Sequence, residues 1–513
     1  MRQPPQNLLA VLLSVLIAGL LLSACGQSDQ PGAGDTLWWL DATGQSHPAG
    51  TATRTPFLPP TRVPGAPILT PTPDAPRDLP EQRAETIYYT VQPGDSLAGI
   101  GQTYGVSVAA LASANSINPA DWLYAGQVLV IPPPEVQIGA SSFKIIPDSE
   151  LVYGPVSAYF DIDAFVAEQG GYLSRHTERV DDMDTSGAAV VARVAQENSV
   201  NPRLLLAVLE YQNGWVSGGD PNDLEREHPL ATLEYWRTGL YRQLSWAADT
   251  LNRGYYLWRA DALGQIPLAD GSAAPVDPTI NAGTAGVQYF LGQLYGAQSW
   301  LSGVGPGGLF ETYQRLFGYP FDLAIEPLIP ADLTQPVMVL PFHVGETWSF
   351  TSGPHGGWTN GAGWAALDFA PPGEPQGCVV SPNWVTAVAS GVIVRSGAGT
   401  VVLDLDGDGL EQTGWTVLYL HVDDWQRAPV GDIVQAGDRI GHPSCEGGYS
   451  LATHLHIARR YNGEWIPADG ELPFSMDGWV SAGDGIEYNG RLSRDGVVVE
   501  AWDRFVPANQ ITR

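Results

Sequence analysis

The sequence predicts a multidomain α+β protein. It contains a small βααβ module, a mainly α middle region and a C-terminal domain that is mainly antiparallel β. Three observations predict this. The chain has 513 residues, which corresponds to about three domains plus linkers. Between Ile87 and Ile131, two short apolar runs bracket two stretches with helical spacing. From about Leu340, short apolar runs recur between Gly and Pro residues, as in antiparallel sheets. The 44% of hydrophobic residues is ample for buried cores. The formal net charge of −30 argues against a nucleic-acid partner, because phosphate binding needs clustered Lys and Arg. It fits the solvated acidic surface of an extracellular protein.

At the N-terminus, Arg2 precedes an almost wholly apolar run from Leu8 to Leu22, which ends in Leu22-Ser23-Ala24-Cys25. An apolar stretch closed by small residues reads as a secretory signal. The alternative is a retained anchor helix, for which the run is slightly short. Leu-Ser-Ala-Cys resembles a bacterial lipobox. That resemblance implies a signal peptide over 1–25, lipidation of Cys25, and a protein anchored in the membrane by lipid and facing the cell wall. The other two cysteines, Cys378 and Cys445, are expected to form a disulfide in an oxidising compartment.

Residues 26–85 are rich in Pro, Thr, Gly and Ala and read as an extended tether. The module at 86–133 opens with Tyr88-Tyr89-Thr90-Val91 as a strand. After the turn Gln92-Pro93-Gly94-Asp95-Ser96, either Asp95 or Ser96 caps a helix with Leu97, Ile100 and Tyr104 on one face. Gly105 ends that helix, Ser107 caps a second one that runs to near Asn115, and Val128-Leu129-Val130-Ile131-Pro132 closes the unit as a strand. Tyr89-Thr90-Val91-Gln92-Pro93-Gly94-Asp95-Ser96-Leu97, Asn115 and Gly126-Gln127-Val128-Leu129-Val130-Ile131-Pro132 closely resemble a LysM domain. The resemblance implies binding of glycans that contain N-acetylglucosamine. Gly94, Asp95, Ser96, Leu97, Ile117 and Leu123 would line the groove.

Residues 134–185 read as a connector. Residues 186–330 read as mainly helical, with Asn201-Pro202 starting one helix. Ala195–Trp215, Asp277–Gly283 and Tyr289 resemble the lysozyme-like transglycosylases, although a plain helical spacer is a rival reading. The position matching that family's catalytic Glu holds Gln212, followed by Asn213. An amide cannot act as the general acid, and Glu210, two residues earlier, points elsewhere on a helix. This region is therefore expected to be catalytically degenerate.

The candidate chemistry lies at 335–470, where six of the nine histidines fall. Ser352-Gly353-Pro354-His355-Gly356-Gly357 leaves an imidazole exposed between glycines. Asp368 interrupts the apolar strand Ala366-Leu367-Asp368-Phe369-Ala370 and needs a cation or strong hydrogen bonds there. His421 ends the strand Trp415–Leu420. In Thr453-His454-Leu455-His456-Ile457, strand alternation puts both histidines on one face. A catalytic zinc site wants three protein ligands and an open position. His355, Asp368 and His456 would supply them, with His421 and His454 beside the opening.

This set resembles the peptidoglycan metallopeptidases of the lysostaphin and β-lytic protease group. The resemblance implies Zn2+ on His355, Asp368 and His456, and catalytic roles for His421 and His454. Many members place only three residues between the first His and the Asp, where this chain holds Trp364. The longer spacing looks like the β-lytic branch, with His343 as the fallback ligand. Asp404-Leu405-Asp406-Gly407-Asp408-Gly409 resembles an EF-hand start, but its twelfth position is Trp415 and not the bidentate Glu. A hairpin turn is the better reading. Residues 471–513 read as a short β appendix. Together these features predict a cell-surface zinc metalloendopeptidase acting on peptidoglycan stem or cross-bridge peptides. The alternative is a non-enzymatic wall-binding regulator of other hydrolases.

Overall fold

A computed structural model describes residues 38–40, 46–48, 72–80 and 83–513, except 93, 120, 121, 134, 137 and 374–376. Cys25 and the signal segment lie outside the described residues, as does most of the stretch read as a tether. Residues 1–55 form a unit of their own. Within it, Trp38–Leu40 pairs antiparallel with Ser46–Pro48. The rest of the description concerns the second unit, from Pro56 to Arg513. Residues 72–80 of the tether stretch have no regular secondary structure and are attached to the helical region. Asp74 N–H donates to the Thr279 carbonyl at 2.9 Å, and Lys144 pairs with Asp74 at 2.7 Å.

The small module is β1 (Ile87–Thr90), α1 (Leu97–Tyr104), α2 (Val108–Asn115) and β2 (Val128–Ile131), with the two strands antiparallel. Ser96 is the cap of α1: its hydroxyl accepts from Gly99 N–H at 3.1 Å. Asp95 instead braces the turn by accepting from Gln92 N–H and the Tyr89 hydroxyl, both at 2.7 Å. Gly105 adopts φ 65°, which ends α1. The Asn115 side chain pairs with both backbone groups of Val130 at 2.7 Å, fastening α2 to β2. Leu97, expected beside the groove, is only 5% exposed and packs with Val91, Ile100, Leu111 and Ile131. Its role in the module is therefore in the core.

In the helical region α3 (Gly187–Asn198), α4 (Pro202–Asn213), α5 (Leu240–Arg259) and α6 (Ala282–Leu294) surround one core. Asn201 caps α4 by accepting from Arg203 N–H at 2.9 Å, with Pro202 in the first turn. Residues 138–185 belong to this core: Ile145, Leu151, Val166 and Leu173 are buried in it, and Glu150 pairs with Arg203 at 3.0 Å. The stretch read as a connector is thus built into the helical body.

The C-terminal domain centres on a nine-stranded sheet. Its strands are β3 (Thr347–His355), β4 (Ala366–Ala370), β5 (Gly391–Gly397), β6 (Thr400–Asp404), β7 (Trp415–Leu420), β8 (Ile433–Val434), β9 (Leu455–Tyr461) and β10 (Gln510–Thr512). The order is β8-β5-β6-β7-β9-β4-β3-β10, with Glu464–Trp465 pairing on β9. The named neighbours on that path are antiparallel. β10 comes from the stretch read as an appendix and completes the sheet edge. The strands β4, β6 and β7 are buried throughout because both faces are covered. Leu367, Val401, Val417, Leu455 and Ile457 face the domain's own core, while Ala366, Val402, Leu418 and Ala458 face the core of the helical region. Asp404–Asp408 turns between β6 and β7, which pair directly.

The two layers are joined by a buried charged cluster. Glu411 pairs with Arg460 at 2.9 Å and with Arg395 at 3.1 Å, and Arg460 also donates to Ser199 Oγ at 3.3 Å. Removing one partner from such a cluster leaves a charge buried without compensation. Glu411→Ala is expected to lower the unfolding free energy by about 3–5 kcal/mol, read from urea unfolding followed by tryptophan fluorescence. An unchanged midpoint would show that the cluster is neutral to stability.

Candidate metal centre and cleft

The site is built where β3, β4, β7 and β9 meet. Register places Asp368 opposite His456, and His456 opposite Leu420, the residue before His421. His355 closes β3. Its flanking glycines are needed for close approach: a Cβ at Gly353 would lie 2.4 Å from the Asn489 carbonyl oxygen, and one at Gly356 would lie 2.1 Å from that of Thr359. His421 lies just past β7 in a left-handed conformation (φ 66°), which turns its ring toward His454.

His355 Nδ1 is 2.8 Å from the Gly353 carbonyl, and His456 Nε2 is 3.0 Å from the Gly357 carbonyl. A carbonyl can only accept, so these nitrogens carry the ring protons. The opposite nitrogens are therefore bare. His355 Nε2 and His456 Nδ1 stand 3.0 Å apart, and each is 3.2 Å from Asp368 Oδ1. That oxygen is buried without a hydrogen-bond partner. With both rings neutral, these are three lone-pair atoms close enough together to fit a small cation. Tetrahedral zinc with arms of about 2.0–2.1 Å separates its ligands by about 3.3 Å. His355, Asp368 and His456 together form a group able to hold a metal ion.

Charge coupling within the trio is strong. Burial opposes ionisation of Asp368, but His355 and His454 outweigh it and hold the carboxyl well below its usual range. Burial alone would lower the His355 pKa, yet the Asp368 carboxylate raises it overall. For His456 burial wins, and the pKa is lowered.

The two remaining histidines lie beside the trio. Their rings are 4.5 Å apart. His421 Nδ1 donates to the Glu446 carbonyl at 2.9 Å, which leaves Nε2 bare. Burial, reinforced by His454 and His456, pushes its pKa down to about 3, so it is neutral at ordinary pH. His454 Nδ1 donates to the Ala452 carbonyl at 2.9 Å, and Nε2 lies 3.8 Å from Asp368 Oδ2. All five residues line one cleft of about 850 Å3.

Tyr488, Tyr241 and Asp249 are among the cleft residues that sequence reasoning missed. Tyr488 stacks on His355 with ring centroids 4.7 Å apart, although it comes from the stretch read as an appendix. Tyr241 and Asp249 line the cleft from α5 of the helical region. No local signal marks any of them, because each acquires its place only through tertiary packing.

The other singled-out residues lie elsewhere. His343 meets Arg439 at 3.4 Å, outside the trio. His442 stacks on Trp425 and packs at a tilt against Trp384. Cys378 and Cys445 form a disulfide with Cα atoms 5.5 Å apart. Gln212 accepts from the Tyr295 hydroxyl at 2.9 Å. Glu210 is occupied structurally, accepting from Val216 and Ser217 N–H at 3.0 Å and from Arg315 at 2.9 Å. In the small module Ile117 and Leu123 are partly buried against the core, while Trp122 (85%) and Tyr124 (74%) are exposed beside them.

Residues 89–132 match the LysM domain family, and residues 144–330 match the family described as LasA, N-terminal domain. The second match begins inside the stretch read as a connector, in line with its packing. Curated relatives include Protease LasA from two strains of Pseudomonas aeruginosa. One is 27% identical over 341 residues and the other 28% identical over 343, each match covering 63% of this chain and 75% of the relative. Among solved structures, the M23 metalloprotease pseudoalterin from the deep sea is similar at 24% identity and a TM-score of 0.28, covering 35% of this chain and 100% of that one. The catalytic domain of lysostaphin from Staphylococcus simulans is similar at 27% identity and a TM-score of 0.17, covering 24% of this chain and 89% of that one. The family matches and the curated relatives together support a peptidase that carries a LysM module.

Proposed function

We propose that this chain is an extracytoplasmic zinc metalloendopeptidase that hydrolyses peptide bonds in peptidoglycan stem or cross-bridge peptides. In this reading lipid on Cys25 anchors it, and the LysM module holds it on glycan and raises the local substrate concentration. The observation that carries the reading is the convergence of two bare imidazole nitrogens on the unpartnered Asp368 oxygen, at the floor of a cleft that two further histidines share. His355, Asp368 and His456 would hold the metal. Zinc in such a site supplies Lewis acidity toward a carbonyl and a water nucleophile that ionises near neutral pH.

The other roles fall to the chain's own side chains. His421, kept neutral by burial, offers its bare Nε2 as a proton acceptor. His454 stands beside it to stabilise charge that develops on the substrate oxygen. Glycan contact by the small module rests on Gly94, Ile117 and Leu123, to which the exposed Trp122 and Tyr124 are natural additions. Among the described residues no helix is long and apolar enough to cross a membrane.

The test incubates the full chain with purified peptidoglycan. New free amines without new reducing ends, abolished by a chelator and restored by zinc, are the expected result. Wall binding with neither product would leave the regulator reading in its place. New reducing ends would reassign the chemistry to the helical region.

A further inference from the structure

The loop that follows His355 is held by the helical region as well as by the β domain. Residues 356–363 lie between Trp465 on one side and α5 on the other. A Cβ at Gly357 would come within 2.5 Å of the Trp465 ring. On the α5 side, Asp249 Oδ1 accepts from Gly361 N–H at 2.7 Å, across 112 residues of sequence. Gly361 sits so close to α5 that a Cβ there would lie 2.0 Å from the Asp249 carbonyl oxygen. Arg253 donates to the Asn360 carbonyl at 3.2 Å, and the Tyr256 hydroxyl accepts from Trp465 N–H at 2.9 Å. Residues 249, 253 and 256 follow helical spacing, so a single face of α5 makes all three contacts.

The loop transmits this hold inward. It is closed on itself by Gly357 N–H to the Gly363 carbonyl and Ala362 N–H to the Thr359 carbonyl, both at 3.0 Å. Its Gly357 carbonyl then accepts from His456 Nε2 at 3.0 Å. That bond decides which nitrogen of His456 is left bare toward Asp368 and His355. Groups that orient a metal-binding imidazole in this way are worth about 10–100-fold in metal affinity.

We propose that Asp249 is a positioning residue for the metal centre. By holding Gly361 from α5, it keeps the Gly357 carbonyl on His456, so the helical region sets the metal affinity of a site whose ligands all lie in the β domain. The inference rests on the proposed metal centre. The carboxylate acts here as a hydrogen-bond acceptor and not through its charge, so an amide at the same position serves equally well.

The test uses the full chain carrying Asp249→Ala, Asp249→Asn or Gly361→Ala. Zinc dissociation constants are measured by competition with a chromophoric chelator, alongside circular dichroism and thermal midpoints. Gly361→Ala reaches the same loop from the opposite side, so the test stands even where Asp249→Ala folds poorly. Asp249→Ala and Gly361→Ala should weaken zinc binding by about tenfold, with amine release from peptidoglycan recovering at saturating zinc. Asp249→Asn should stay within about twofold of the wild type, since its amide oxygen can still accept. Wild-type zinc affinity in both Asp249→Ala and Gly361→Ala, even with a lowered thermal midpoint, would overturn the inference. So would an Asp249→Asn variant that loses as much as Asp249→Ala. A wild-type chain that binds no zinc would instead remove the metal centre itself.

Discussion

His456→Ala is expected to lose zinc and, with it, all release of amines from peptidoglycan. His456 contributes one of the two bare nitrogens that face Asp368 Oδ1, at 3.2 Å, and among the described residues it completes the group that His355 and Asp368 form for a metal ion. The loss should exceed the roughly 10–100-fold that follows removal of a supporting partner, because a ligand itself is gone. Asp368 would then be left in a buried pocket with His355 as its chief partner. Some loss of stability should accompany the loss of metal, since a buried charge stripped of a partner is costly. Inductively coupled plasma analysis of the purified variant and an amine-release assay test this together. Retained zinc in His456→Ala would show that the ligands have been assigned to the wrong residues.

His421→Ala should behave in the opposite way, keeping zinc and losing turnover. Its ring does not belong to the trio, and its bare Nε2 faces the cleft with the proton fixed on Nδ1 by the Glu446 carbonyl. Loss of a positioned general base costs about 10²–10⁴ in rate. The comparison that matters is His421→Ala against His454→Ala, each at saturating zinc. Both rates should fall, and the double variant should fall by less than the product of the two, because residues that act on one reaction step are not additive. Zinc affinity in His421→Ala should stay close to wild type. If zinc is lost along with activity, His421 is a ligand and not a base.

The chain's local features were legible without a structure. Ser96 and Ser107 cap their helices because a short hydroxyl side chain reaches the N–H groups of the next turn, and that geometry spans only four residues. Asn201-Pro202 starts α4 for a similarly local reason. Strand alternation correctly separated His456 from Leu455 and Ile457, which face the domain core. The residue types gathered around the candidate centre, two imidazoles and a carboxylate, were also readable, because each interrupts an otherwise apolar or glycine-rich setting.

Only the tertiary structure decided the rest. His355 and His456 are 101 residues apart, and their 3.0 Å approach depends on the register of β4 against β3 and β9. Which ring nitrogen stays bare depends on the Gly353 and Gly357 carbonyls, which no spacing rule reveals. The LysM resemblance placed Leu97 beside the groove by its position, yet its side chain packs into the module core. The stretch at 134–185 and the β appendix lack strong periodicity, so their contributions were hidden. The first fills the helical core, and the second brings Tyr488 to His355 and a strand to the sheet edge. Local sequence sets what each segment becomes through interactions within a few residues. Which segments meet is set by the burial of two faces of one sheet, a property of the whole chain.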